Sequence, residues 1–448
     1  MSPITLPSPH NLPPTPDIPA ALRAKLEADY ERLPVEADQR GLTKYVRETY
    51  QIDLSTTYAG LPIANPWGKA SGQLSMNLRQ VQEDIEAGLG FVVLKTVIAQ
   101  DESGVQSMHA WAIKEQRMFV EPIQGTRGDT GWTVSWKGRG WWQSFDDYLT
   151  LVREARSAAA HSGTLIVPSC KFHLPGDADE TPRAAEYQYT IEQLLRAWNH
   201  SAATPQLAMP LEKDFSPTLA GSDSARMQER ILEWLRVVPP LIRTATAVAA
   251  ARSDPAAAPS IRLGLKLFNA LFDDDFQLQM LRTIHDRRGS PPDYFVYGNR
   301  LFDPQRLFDG HRGIAYGGPD LSDRNLRVMT RFCQMMQPAG EGSLLEWSGT
   351  GNIDSGRMAV EYALRGATSF QMHTLFQLPA EQYRRADGSR TQRALHELYF
   401  HPDRGLIPWL HHVARRLDLP TAPLRFRDIA AHGPRLLAPN ASQHPAAR

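Results

Sequence analysis

Residues 348–374 read SGTGNIDSGRMAVEYALRGATSFQMHT and carry the strongest pattern in the chain. Its GTG triplet (349–351) ends an apolar run, and a helical pattern starts near Asp354. Backbone N–H groups at glycines can approach an anion closely, and a helix N-terminus favours negative charge. A second unit of the same kind follows and ends in QMHT (371–374). The stretch predicts two strand–loop units that grip a phosphate, although glycines that only form tight turns are the alternative.

In the chain before this stretch, short apolar runs alternate with helical patterns from about residue 53. Such alternation indicates β–α units with parallel strands. Eight candidate strands occur, at 64–72, 91–97, 165–172, 206–211, 261–268, 293–299, 343–352 and 368–374. Eight units favour a closed (β/α)8 TIM barrel of the α/β class. The pattern alone leaves an open α/β sheet as an alternative.

The rest of the chain predicts extensions around the barrel. Residues 1–19 are rich in proline and predict a flexible arm, and residues 20–52 predict an N-terminal helical extension. The barrel is expected over 53–386, C-terminal helices over 387–431 and a disordered tail over 432–448. The stretch from about 100 to 145 is rich in tryptophan and glycine, which predicts loops inserted over the C-terminal face of the barrel.

The composition excludes several classes of partner. Lys+Arg and Asp+Glu are both 49, so a net charge of zero gives no electrostatic reason to expect nucleic acid or an anionic membrane. No apolar run approaches the length of a membrane span, and the N-terminus lacks a secretory signal pattern. With only Cys170 and Cys333, neither a disulfide framework nor a cysteine-ligated iron–sulfur cluster is expected, and no metal site is predicted. The expectation is a soluble cytoplasmic protein.

Two lysines interrupt strands that are otherwise apolar. Lys95 lies in FVVLKTV (91–97) and Lys266 lies in IRLGLKLF (261–268). A lone lysine at a strand end is usually a solvated surface charge, whereas a buried unpaired cation is costly. Their position near the C-terminal ends of two barrel strands favours an anionic or electron-rich ligand there.

Together these segments resemble the FMN-binding barrels of the dihydroorotate and dihydropyrimidine dehydrogenases. The resemblance runs in order from about residue 53 to 376 and is weak between about 100 and 260. It rests on DLSTTYAGLPIANPWGKASG (53–72), AGLGFVVLKTV (87–97), LGLKLF (263–268), VYGN (296–299), AYGGPDLSDRNLRVM (315–329) and GTGNIDSGRMAVEYALRGATSFQMHTLF (349–376).

The resemblance implies a bound FMN and a set of residues that contact it. Lys95 and Thr96 would contact the ring and ribityl region, and Lys266 would reach the N1–C2 carbonyl side or the ribityl chain. Asn299 would bond to flavin or substrate. The backbone against the isoalloxazine would come from Ala70, Ser71 and Gly72, and the phosphate contacts from Gly317, Gly318, Gly349, Thr350, Gly351, Asn352, His373 and Thr374.

The chain departs from this family at the catalytic base. The family carries a cysteine or serine base within an Asn-Leu-Ser-Cys-Pro-Asn-like stretch after the fourth strand, whereas this chain reads QLAMPLEKDFSPTLAG (206–221). A buried lysine or carboxylate can act as acid or base when its pKa moves toward neutrality. Glu212 and Lys213 are therefore catalytic candidates, and a solvated charge cluster in a loop is the alternative for this segment. Asn299 is a further catalytic candidate through the resemblance. Further candidates are Asp214, Ser216, Lys171 and His173.

The early loop SWKGRGWW (135–142) also departs from the family, which has an asparagine-bearing substrate loop there. Trp136, Lys137, Arg139, Trp141 and Trp142 suggest a larger, aromatic or anionic substrate, or else the packing and surface of a lid.

The expected function is an FMN-dependent oxidoreductase that moves a hydride and a proton across a C–C or C–N bond. The substrate is a small molecule that is not expected to be dihydroorotate, and a separate electron acceptor or donor is needed. A flavin-dependent non-redox isomerase and a non-catalytic flavin-binding subunit are the alternatives. Because relatives often pair, the resemblance also makes a homodimer an expectation.

Overall fold

The computed structural model has eight parallel strands at its centre and helices around them. Each strand is short and almost entirely buried, as expected for strands that are covered on both faces. The structure describes residues 8–114, 118–136, 140–176, 179–200, 207–215, 227–252, 260–269, 272–308, 310–336 and 344–437.

The eight strands form a closed barrel. They are β1 (Trp67–Lys69), β2 (Phe91–Val93 and Val97–Ile98), β3 (Leu165–Val167 and Ser169–Lys171), β4 (Met209–Asp214), β5 (Ile261–Phe268), β6 (Tyr294–Asn299), β7 (Glu346–Thr350) and β8 (Ser369–Met372). Each strand pairs in parallel with the next, and β8 pairs with β1. The prediction of a (β/α)8 barrel is confirmed, and the open sheet is excluded.

A helix follows each strand on the outside of the barrel. Polar caps start several of them: Asn77 accepts the backbone N–H of Gln80, and Ser144 forms a capping box with Asp147. The helices are α1 (Leu78–Glu86), α2 (Phe145–Ala159), α3 (Ala184–Trp198), α4 (Gln228–Ala251), α5 (Asp274–His285), α6 (Pro319–Met336), α7 (Gly356–Ala363) and α8 (Arg390–Phe400).

A hairpin covers the N-terminal end of the barrel. Its strands, Thr56–Tyr58 and Leu61–Ile63, pair in antiparallel register. Tyr58 stacks on Phe91 with a ring separation of 4.2 Å and meets Tyr294 edge-on. Because these rings lie at the strand starts, the interior is closed and apolar at this end, and a ligand must approach from the other.

Helical segments extend the barrel at both ends of the chain. The N-terminal helices are Ala20–Glu31, Val35–Arg40 and Leu42–Tyr50, and the first packs on α8. The C-terminal helices are Leu406–Arg416 and Phe426–His432, followed by a 3-10 helix at Gly433–Leu437. Residues 432–437, expected in the tail, are thus helical, whereas 438–448 lie outside the described residues. Among the helices that the structure describes, none combines the length and apolarity needed to cross a membrane.

The proline-rich segment is docked over its described part, 8–19, which differs from the flexible arm expected from composition. The backbone N–H groups of Asn11 and Leu12 both donate to Glu361 at 2.8 Å. The His10 ring lies 2.9 Å from Asp323. The other oxygen of Glu361 pairs with Arg365 at 3.0 Å, and both side chains are fully buried. A composition rule could not find this anchor because its acceptors lie more than 300 residues away in the sequence.

We expect Glu361→Ala to destabilise the protein strongly, because it leaves the buried Arg365 and two backbone donors without this carboxylate. Breaking a buried ion pair from one side costs about 3–5 kcal/mol. Urea unfolding would measure the loss. Glu83→Ala is the control, since its partner Arg79 is 88% exposed and exposed pairs contribute at most about 1 kcal/mol. Equal losses in both variants would contradict the assigned anchor.

Candidate active site

A cavity of about 520 Å³ opens at the carboxyl ends of the strands. This size suits a cofactor or small-molecule ligand. The cavity wall includes residues at the ends of all eight strands and from two insertions. Of the residues predicted to bind the cofactor, those that line it are Ala70, Ser71, Lys95, Thr96, Lys266, Asn299, Gly317, Thr350, Gly351, Asn352, His373 and Thr374.

Three predicted glycines do not line the cavity but shape its walls. A Cβ atom at Gly72 would lie 2.5 Å from the His373 ring, and one at Gly349 would lie 2.6 Å from the Tyr362 ring. Gly318 has a φ of +104° and would place a Cβ 2.5 Å from Ile123. These positions need glycine for close packing, which is the tight-turn role that the sequence left open.

Gly351 differs from these three because it lines the cavity itself. Its φ is +99°, a conformation that side chains rarely adopt, and a Cβ there would meet Leu321 at 2.8 Å. Asn352 follows with a φ of +51°. The turn after β7 therefore exposes backbone to the cavity just before α7 begins, where the helix N-terminus favours an anion.

Hydroxyl groups from three neighbouring strands form a chain at the mouth. Ser71 Oγ lies 2.8 Å from Thr96 Oγ1, which lies 3.0 Å from Ser169 Oγ. Ser71 and Thr96 line the cavity. The chain fixes the ends of β1 and β2 relative to each other.

Buried cations dominate the electrostatics of the cavity. Burial lowers the pKa of Lys95 to about 8; the nearby Asp214 carboxylate opposes this shift, and the positive charges of Lys266 and Arg300 add to it. Lys266 pairs with Glu212 at 3.3 Å. An anion in the cavity would interact favourably with both lysines, so the site suits an anionic or electron-rich ligand.

His373 is neutral at physiological pH. Burial lowers its pKa to about 3, and the surrounding positive charges, with Arg300 first, act in the same direction. The imidazole can therefore contribute hydrogen bonding to the site without adding charge.

Glu212 and Lys213 lie elsewhere than the sequence suggested. The strand was expected to end at residue 211, but β4 continues to Asp214, and neither residue lines the cavity. Glu212 is fully buried inside the barrel, and Lys213 is fully buried on the outer side, where its Nζ donates to the Asp214 carbonyl at 2.9 Å. The solvated-loop alternative is therefore wrong, and a direct catalytic role of Glu212 or Lys213 stays a prediction that no contact with the cavity supports.

Two secondary candidates from the sequence do reach the cavity. Asp214 and Lys171 end the adjacent strands β4 and β3. The register that pairs Cys170 with Lys213 brings Lys171 and Asp214 to the same height. His173 instead lies 2.9 Å from Glu180, and Ser216 lies outside the described residues.

Two hairpins form a roof over the cavity. The first lies within the insertion predicted over this face at about 100–145, and the second was not predicted. One pairs Met118–Gln124 with Thr130–Trp136, and the other pairs Leu301–Phe308 with His311–Tyr316. The part-buried Arg300 donates to the carbonyl of Val134 in the first hairpin and to that of Ala315 in the second, both at 2.9 Å. The roof and its approach contribute Trp111, Ile113, Trp132, Phe302 and Ile314 to the cavity.

Of the tryptophan-rich loop, Trp141 is buried and donates to the carbonyl of Ser144, which is a packing role. Lys137 and Arg139 lie outside the described residues, and the side chain of Trp136 is not described. Two tryptophans of this insertion, Trp111 and Trp132, line the cavity. The sequence could indicate them only through the general rule that long insertions cover this face.

Comparison with known proteins bears on the fold. No protein-family model and no curated protein matches the sequence. The chain is similar to the crystal structure of a DHODH from Eimeria tenella in complex with ferulenol, with a TM-score of 0.53 and 12% sequence identity. The match covers 89% of this chain and 94% of that chain. The chain therefore has a DHODH-like barrel fold.

We expect Arg300→Met to loosen both hairpins of the roof, because one part-buried guanidinium holds a carbonyl of each. Hydrogen–deuterium exchange should accelerate in 118–136 and 301–316 and remain unchanged in the barrel strands. Arg306→Met is the control: its partly exposed pair with Glu121 joins the same hairpins at 3.1 Å, and exposed pairs contribute little. Equal effects of the two substitutions would contradict the role given to Arg300.

Proposed function

We propose that this chain binds FMN at the mouth of its barrel and catalyses hydride and proton transfer with a small molecule. One observation carries the proposal: the turn at Gly351 and the two strand lysines, Lys95 and Lys266, line the same cavity of a DHODH-like barrel. The sequence pattern by itself also predicts contact with an anionic or electron-rich ligand at these residues.

The phosphate of FMN would lie at the ends of β7 and β8. Thr350, Gly351, Asn352, His373 and Thr374 all line the cavity there. Phosphate sites of such barrels commonly use the loops after strands seven and eight. The left-handed Gly351 brings backbone close to the cavity, which fits an oxyanion better than a bulky group.

The isoalloxazine would lie across the mouth toward β2 and β5. Lys95 and Lys266 would face its N1–C2 region or the ribityl chain, where positive charge stabilises the reduced form. Bound FMN would supply the hydride chemistry, while the chain supplies orientation and charge. The residues present therefore fit the cofactor.

The substrate would lie between the flavin and the roof. Trp111, Trp132 and Phe302 give this space an aromatic surface. That lining supports a small molecule with an apolar or planar face, and we infer that it is not dihydroorotate. Electrons would pass to or from a separate small molecule or protein.

Asp214 and Lys171 are the groups that we assign to proton transfer. Both line the cavity at the ends of β4 and β3, on the side of the barrel opposite β7 and β8. A ligand whose phosphate lies at β7 and β8 would extend its other end toward them. Asp214 would hold or release the proton, and Lys171, whose Nζ lies 4.3 Å from the centre of the Trp111 ring, would set the local charge.

Purified protein, or protein incubated with FMN, should show the two visible absorption bands of bound flavin. Gly351→Val should weaken binding severely, because valine tolerates neither the positive φ nor the contact with Leu321. Protein that remains colourless after incubation would refute the proposal.

In a screen under anaerobic conditions, a redox substrate would reduce or reoxidise the flavin, whereas an isomerase would form product and return the flavin to its starting state.

FMN affinity should fall as pH rises from 7 to 9. Because the pKa of Lys95 is about 8, the free protein loses this proton within that window. Binding that needs the charged lysine must then take a proton up, at a cost of up to about tenfold in affinity at pH 9. Quenching of FMN fluorescence would measure Kd. Lys95→Met should bind weakly and show little pH dependence, and an equal slope in the variant would remove Lys95 from the site.

Asp214→Asn should slow flavin reduction or reoxidation by a substrate from the screen by about 100-fold or more, since general acid–base catalysis contributes about 10²–10⁴-fold. Reduction by dithionite, which needs no protein acid, should be unchanged. Stopped-flow absorption would measure both. An unaffected substrate step would assign the proton to another group.

A further inference from the structure

A carboxylate lies beneath the cavity, behind one of its lysines. Glu212 is fully buried in β4, and its Oε1 lies 3.3 Å from Nζ of Lys266 on the neighbouring strand β5. Lys266 lines the cavity and Glu212 does not. Glu212 can therefore influence a ligand in the cavity through Lys266, through Gln371, which also lines the cavity, or through its field.

Two neutral side chains hold this pair in place. Gln371 accepts from Lys266 Nζ at 3.2 Å and donates from its amide nitrogen to Glu212 Oε2. The hydroxyl of Tyr58 donates to the same carboxylate oxygen at 3.3 Å. Burial raises the pKa of Tyr58 well above its usual value, so the phenol remains protonated. Because Gln371 and Tyr58 are neutral, Lys266 and Glu212 form the ion pair of this contact group.

We propose that Glu212 is a positioning residue that lowers the reduction potential of bound FMN by opposing the positive charge of Lys266. The inference rests on the proposed function, because it needs FMN in the cavity. It assigns Glu212 a role that is neither proton transfer nor substrate contact.

The charge balance of flavin reduction gives the direction in which Glu212 changes the reduction potential. Two electrons and one proton convert neutral oxidised FMN to a reduced ring with one additional negative charge, centred on N1 and C2=O. A cation beside that region favours reduction, and charge near N1 is a known means of tuning a flavin. A carboxylate 3.3 Å behind the cation opposes this effect, and the buried setting screens it weakly.

Other charges at the mouth do not duplicate this contact. Lys95 and Arg300 line the cavity on other strand ends, and Asp214 is the carboxylate nearest the proposed site of proton transfer. Glu212 is the acidic partner that the structure gives Lys266 among the described residues.

The test is the midpoint potential of bound FMN in Glu212→Gln, measured by stepwise reduction with dithionite and a reference dye. Glutamine keeps the shape and can still accept from Tyr58, but it removes the negative charge. We expect the potential to rise. Glu346→Gln is the matched control: it neutralises a carboxylate at the start of β7, at the opposite end of the barrel, and should leave the potential unchanged.

A double-mutant cycle identifies the route of the effect. In the Lys266→Met background, Glu212 has no cation at this position to oppose, so Glu212→Gln should shift the potential less than it does in the wild-type background. An equal rise in both backgrounds would overturn an action through Lys266. An unchanged or lower potential in Glu212→Gln alone would overturn the proposal outright.

Glu212→Asp keeps the test available if the glutamine variant does not fold. Aspartate retains the charge at a greater distance from Nζ, so a smaller rise is expected, and no rise would count against the proposal. Wild-type protein that fails to bind FMN defeats the proposed function before any potential is measured. FMN binding with an unchanged potential in the variants defeats only the role of Glu212.

Discussion

Parallel pairing of β8 with β1, in the register that places Phe370 opposite Trp67, closes the barrel. Because every neighbouring pair is parallel, closure brings all carboxyl ends to one mouth. Lys95 and Lys266 are 171 positions apart in the sequence, yet they line one cavity. The N-terminal end is closed by aromatic packing around Tyr58. The site therefore depends on a single topological constraint rather than on any local motif.

The second constraint is the cost of placing charge inside this apolar barrel. A buried ion is tolerated when it is paired and hydrogen-bonded. Lys266 meets that condition within the protein through Glu212 and Gln371. Lys95 meets it less fully: burial lowers its pKa to about 8 despite the nearby Asp214. The two lysines therefore differ in their surroundings: Lys266 has a carboxylate and an amide partner within the protein, whereas the charge of Lys95 depends more on what occupies the cavity.

The sequence was informative where local pattern decides structure. Apolar runs marked all eight strands, and the glycine turn at residue 351 was found from its position before a helix. The features that the sequence did not predict depend on strand register and on contacts between residues far apart in the chain. Extending β4 by three residues places Glu212 inside the barrel, Lys213 outside it and Asp214 at the mouth, because alternate side chains face opposite sides of a strand. The docked segment 8–19 and the roof depend on partners far along the chain, which no local pattern contains.

The roof and the proton-transfer pair follow from the same geometry. In an eight-stranded barrel, β3 and β4 lie across the mouth from β7 and β8, so a ligand anchored at Gly351, as proposed, would extend toward Lys171 and Asp214. The two hairpins leave the barrel after β2 and β6, on opposite sides of that line, and Arg300 joins them above it. The space beneath is bounded by aromatic groups above and by charged groups at its far end. Exclusion of water there would strengthen each charge interaction, which explains why a chain with no net charge can carry a strongly electrostatic site.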